Sequence, residues 1–131
     1  MRHIFILFAL FLPSLLAAQH SPATGCRDAK TTVDMERCAS RDLDQAKREL
    51  DRYLQEARRL ATNRALLDSA QAVWEHYRDV ACRAAGSEYE GGTVKPLVML
   101  NCLTDLARDR MRELYDHYLR TSNTPLPEPK H

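Results

Sequence analysis

The residues of this chain best placed for covalent chemistry are four cysteines, Cys26, Cys38, Cys82 and Cys102. Their gaps fit neither a zinc site nor a haem attachment, since the chain has no Cys-x-x-Cys and no Cys-x-x-Cys-His. An even number of thiols without metal spacing points to disulfides, which persist where the surroundings are oxidising. Glu113 and His117 share a helix face at i, i+4, but a single pair falls short of a metal site, and His76 beside Glu75 reads as a surface residue. No Ser–His–acid set, nucleophile elbow or phosphate loop stands out. The reading is a binding protein, not an enzyme, with no cofactor and no metal.

The amino-terminal segment explains how the thiols reach an oxidising compartment. Arg2 and His3 precede an apolar stretch over residues 4–16, broken only by Pro13 and Ser14, and Ala17-Ala18 offers a peptidase small side chains. The stretch is too short for a membrane anchor, so residues 1–18 are expected to be a cleaved signal peptide. Cys26 lies well beyond the cut, which gives no basis for a lipid anchor. The mature chain is then periplasmic or secreted, with no membrane anchor after signal removal. It has about 113 residues, one domain's worth. Loss of Arg2 moves the formal charge from +1 to zero. A neutral chain with interleaved signs gives no argument for nucleic acid.

Elements that position the cysteines follow from periodicity. Residues 19–30, with Pro22 and Gly25, read as an irregular lead-in. A helix then runs from Thr31 or Thr32 to about Ala61, with Ala39, Leu43, Ala46, Leu50, Tyr53, Ala57 and Leu60 alternating in steps of four and three. This seam could equally serve a dimer, and the oligomeric state is left open. Asn63 caps a second helix whose apolar positions are Leu66, Leu67, Ala70, Val73, Trp74, Tyr77, Val80, Ala81 and Ala84, ending near Gly86. A loop over 86–95 leads to Pro96 in the first turn of a third helix, marked by Leu97, Leu100, Leu103, Leu106, Ala107, Leu114, Tyr115 and Tyr118. The fold expected is all-α, a disulfide-stapled three-helix up-down-up bundle over residues 31–120. Residues 121–131, with Pro125, Pro127 and Pro129, are expected to be a disordered tail. Four cysteines permit three pairings, and sequence alone does not select one. Helix geometry favours Cys26–Cys38 and Cys82–Cys102, each closing a short loop.

The second helix also carries the most distinctive run of residues. Trp74 and Tyr77 are expected in the core. Arg78 and Asp79, adjacent and so poorly placed to face each other, are expected to reach another helix or cap the loop, while Gln71 bonds loop backbone. The Gly91-Gly92 pair suits a tight turn. Ala70-Gln71, Trp74, Arg78-Asp79 and Cys82, followed by Gly91-Gly92 and Cys102-Leu103-Thr104, resemble the signature of the LprI-type lysozyme inhibitor N-terminal domain family, small exported bacterial proteins. Tyr77 stands where that family commonly has another aromatic residue. The resemblance covers residues 26–119. It implies an exported helical domain with two disulfides and, from the family's named member, inhibition of c-type lysozyme. That member is a lipoprotein; this chain, without a lipidation cysteine, would act free of the membrane.

Under that resemblance the candidate binding element is the loop Ser87, Glu88, Tyr89, Glu90, Gly91 and Gly92. A lysozyme cleft holds two catalytic carboxylates. A stapled loop offers it an aromatic or polar tip at low ordering cost, provided that the glutamates meet only the cationic rim. The protein partner is therefore lysozyme on this reading. The alternative is a periplasmic structural or interaction module with another protein partner.

Overall fold

Thr31 starts the first helix because its hydroxyl oxygen accepts the Asp34 backbone N–H at 3.1 Å, satisfying one of the unpaired donors of the first turn. The computed structural model describes residues 26–129, so the expected signal peptide and residues 19–25 of the lead-in lie outside the described residues. Among the described residues the elements are a 3₁₀ turn at Cys26–Asp28, α1 (Thr32–Leu60), α2 (Arg64–Ser87) and α3 (Lys95–Leu114), the last continued by a π-helical turn at Tyr115–Leu119. The 3₁₀ turn gives regular structure to part of the segment expected to be irregular. Asn63 caps α2 through the Leu66 backbone N–H, and Pro96 occupies the first turn of α3. With both interhelix connections short, successive helices reverse direction in an up-down-up bundle.

The bundle is unequal. Helices α1 and α3 form the main packed pair, while α2 lies chiefly against α3 and touches α1 lightly. Accordingly the core consists of Ala46, Leu50, Tyr53, Leu54 and Ala57 from α1, and Ala107, Met111 and Leu114 from α3, closed by Leu119. From α2 the core receives Leu67, with Trp74 packed at its edge. The 4–3 seam of α1 is thus spent inside the molecule: its members from Ala39 to Ala57 are all buried. Thr104, a polar residue on the buried face of α3, turns its hydroxyl back onto the Leu100 carbonyl at 2.9 Å.

Both local disulfides are formed. Cys26–Cys38 pins the 3₁₀ turn to α1, and Cys82–Cys102 joins the end of α2 to the start of α3, with Cα–Cα distances of 5.6 and 5.5 Å. Gly86 lies within α2 and does not terminate it, because the helix continues to Ser87. Its role is close approach: a Cβ there would lie 2.6 Å from Met99 Cγ on α3.

The segment after α3, described to residue 129, touches the bundle at particular residues. Leu126 packs against the core, and the Tyr53 hydroxyl donates to the Pro127 carbonyl at 2.6 Å. Prolines at alternate positions hold this segment extended, which lets one leucine reach the groove without a helix to carry it.

Candidate functional site

The loop joining α2 to α3 is built from successive tight turns. The Tyr89 N–H donates to the Gly86 carbonyl at 3.1 Å, and the Gly92 N–H to the Tyr89 carbonyl at 3.0 Å. Gly91 has φ of +74°, a left-handed conformation that other residues adopt only with strain. The Lys95 ammonium donates to the Glu90 carboxylate, neutralising one of the two loop acids. Ser87 Oγ folds back onto the Ala84 carbonyl. All of Ser87, Glu88, Tyr89, Glu90, Gly91 and Gly92 are exposed, and the buried Cys82 anchors the loop from below through its bridge to Cys102. The arrangement is a short, braced projection tipped by Glu88 and the half-exposed ring of Tyr89.

The second cluster joins α2 to α3 about two to four turns below the loop. Arg78 stacks on the Trp74 ring with its guanidinium carbon 5.2 Å from the centroid, and Arg110 of α3 stands at 5.8 Å from the same centroid. Two cations on one aromatic ring repel, and each carries its own carboxylate: Arg78 bonds Asp79 at 2.8 Å and Arg110 bonds Glu113 at 2.8 Å. Gln71, buried, accepts from Arg110 Nε at 3.1 Å and donates to Glu75 at 3.1 Å. These residues form a polar and aromatic clamp between helices.

Three expectations change here. Arg78 and Asp79 pair with each other, because the long arginine side chain curls back within one turn to meet its neighbour's carboxylate. Gln71 bonds Arg110 and Glu75 and leaves the loop backbone alone. Tyr77 is 58% exposed and outside the core, whereas Trp74 is half-buried at its edge. Arg110 and Glu113 complete the clamp from 39 residues further along the chain, and nothing in their spacing announced it.

The same rotation of α2 turns its most apolar stripe to solvent. Leu66 is 66% exposed, Val73 71% and Val80 43%. With exposed Ala70, Tyr77 and Ala84 they line one face of the helix. Leu66, Ser69, Ala70, Val73, Trp74 and Tyr77 enclose a shallow groove of about 630 Å³. The hydrophobic periodicity of α2 signalled this stripe but not the side on which it lies. The reason is the clamp: Gln71 and Arg78 take the face toward α3, and the apolar residues are left outside.

Among the described residues no group of three or more His, Cys, Asp and Glu side chains is placed to hold a metal ion, and no helix is long and apolar enough to cross a membrane. Glu113 is engaged by Arg110, and the exposed His117 borders a different groove beside Tyr118 and Leu66.

The described residues form a disulfide-stapled, all-helical bundle with a braced loop at one end and an uncovered apolar helix face. The chain belongs to the LprI lysozyme inhibitor family, whose model matches residues 25–114. It is 34% identical to an uncharacterized protein of Rhizobium meliloti (strain 1021) over 113 residues, covering 75% of this chain and 81% of that one. No solved structure matches it.

Proposed function

We propose that this chain acts outside the cytoplasm as a binding protein that blocks a lysozyme-type glycoside hydrolase, after its first 18 residues have been removed as a signal peptide. Family membership supports the partner class. Two disulfides support an oxidising compartment. The observation that carries the mode of action is the braced loop: Gly91 and the turn hydrogen bonds fix its path, and Lys95 cancels the charge of Glu90. Little ordering entropy remains to be lost when such a tip enters a cleft. Pairing of Glu90 also reduces the repulsion that two free glutamates would meet near catalytic carboxylates. Tyr89 then fills the cleft mouth while Glu88 meets cationic groups at its rim. The protein binds and performs no chemistry of its own.

The test is titration of the purified mature protein into c-type lysozyme acting on a cell-wall suspension. Inhibition is expected, and the pair Glu88→Ala, Tyr89→Ala weakens it at least about tenfold, equivalent to about 1.4 kcal/mol, with an unchanged far-ultraviolet spectrum. Undiminished turnover at large molar excess removes the inhibitor reading and leaves an interaction module. Inhibition that survives the double substitution moves the contact away from the loop.

A further inference from the structure

Leu66, Ala70, Val73, Tyr77, Val80 and Ala84 follow one another on α2 at intervals of four, three, four, three and four. All six are exposed, and no ionised side chain interrupts them. This is the spacing of a two-helix seam, in which each residue inserts between residues of a facing helix. In α1 the same spacing is satisfied by α3. In α2 nothing among the described residues satisfies it.

We infer that the occupant is a second copy of this chain, with the two α2 helices packed antiparallel about a two-fold axis at the level of Glu75. The six positions are symmetric about residue 75, so the two-fold sets Leu66 opposite Ala84, Ala70 opposite Val80 and Val73 opposite Tyr77 of the other copy. Every facing pair joins a larger side chain to a smaller one, the condition for interdigitation at close range. A parallel, in-register pair instead sets tyrosine on tyrosine and alanine on alanine, alternating clash with gap. The stripe is therefore complementary to itself in one orientation, as an isologous interface requires.

The size of the stripe sets the strength of the pair. Its exposed side chains present about 500 Å² per copy, about 1,000 Å² for the dimer, at the lower edge of specific interfaces. The association is accordingly of the weak, concentration-dependent kind. Glu88 and Tyr89 then stand at opposite ends of the paired helices, and the dimer presents two loops without covering either.

Sedimentation velocity on the oxidised mature protein, from roughly 1 µM to 1 mM, reads the equilibrium directly. A monomer–dimer transition is expected, and Val73→Glu, at a position with no role in the core, holds the protein monomeric throughout with its helical spectrum intact. The register is read by exchange of sizes. Leu66→Ala and Ala84→Leu each weaken the dimer, and the double variant, which restores a leucine opposite an alanine, recovers it to within about threefold. A monomer at every concentration overturns the inference, as does a dimer indifferent to Val73→Glu. Failure of the double variant to recover overturns the antiparallel register. A monomer whose lysozyme inhibition is lost with Val73→Glu assigns the stripe to the hydrolase and removes the second copy.

Discussion

Helices α1 and α2 carry the same 4–3 apolar spacing and use it oppositely. In α1 the seam residues from Ala39 to Ala57 are buried against α3, with Ala46 and Ala57 almost wholly out of water. In α2 the seam faces solvent, and the surface toward α3 is made of Leu67, Gln71, Trp74, Arg78 and Cys82. One helix is held by apolar area, the other by a disulfide, a cation–π stack and a buried amide. The first kind of attachment is non-directional and scales with area. The second fixes rotation, because hydrogen bonds and a covalent bridge tolerate little displacement. Rotational fixing is what keeps an apolar stripe outward when burial alone favours turning it in.

The largest expected effect comes from cutting the staple. Replacing both Cys82 and Cys102 by serine opens a loop whose ends are 20 residues apart, at a cost of about 3 kcal/mol. Amide exchange should rise in α2 before α1, since α1 keeps its apolar pairing with α3. Equal loosening of both helices would remove the distinction between them.

Slightly smaller is the contrast between two truncations. Leu50→Ala empties a buried site in the α1 seam and should cost about 3 kcal/mol. Val73→Ala, at the matching kind of position in α2, should change monomer stability by no more than about 0.5 kcal/mol. Denaturant titration at low micromolar concentration compares the two. A large loss at Val73 would mean that the stripe packs within the chain after all.

The clamp comes next. Gln71→Leu keeps the side-chain volume and deprives Arg110 of a buried acceptor, a loss of about 1–2 kcal/mol. Such a loss, from a substitution that raises apolar content, separates a polar attachment from a hydrophobic one. A stabilised variant would show that the amide serves no fastening role.

These contrasts explain what was legible in the sequence. Helix extents followed from caps and periodicity, because Thr31 and Asn63 act within a few residues of themselves. The disulfides followed from placing Cys82 and Cys102 at helix ends that a short connection brings together. The rotation of α2 did not follow. Its decision rests on Arg110 and Glu113, distant in sequence, meeting Trp74 and Gln71, and an apolar stripe by itself does not name the side it faces. The docked tail was hidden for a related reason: three prolines advertise the absence of a helix, while the one residue that binds, Leu126, gives no periodic signal. Loop positions Ser87 to Gly92 were legible as a turn from their glycines and acids, and the exposed tip at Glu88 and Tyr89 follows from that turn.

The tail supplies the smallest of the effects and one that depends on pH. The Tyr53 phenol is held above its ordinary value, first by burial and then by the nearby Glu49 carboxylate. Its hydroxyl is a donor, and the Pro127 carbonyl has no proton to offer in return. A raised folded-state value means that between the unfolded and folded values the native protein binds more protons, so stability falls as pH rises through that interval. The contribution is complete below about pH 10, the unfolded phenol's range, and is lost above it as the phenolate forms and releases Pro127. Tyr53→Phe should therefore cost about 1 kcal/mol near neutral pH and free the segment around Leu126 for proteolysis. The difference between the two proteins should shrink as alkaline conditions remove the same hydrogen bond from the parent. Equal stability of the two proteins near neutral pH would show that Leu126 alone holds the tail, and that α1 attaches even this segment by apolar contact.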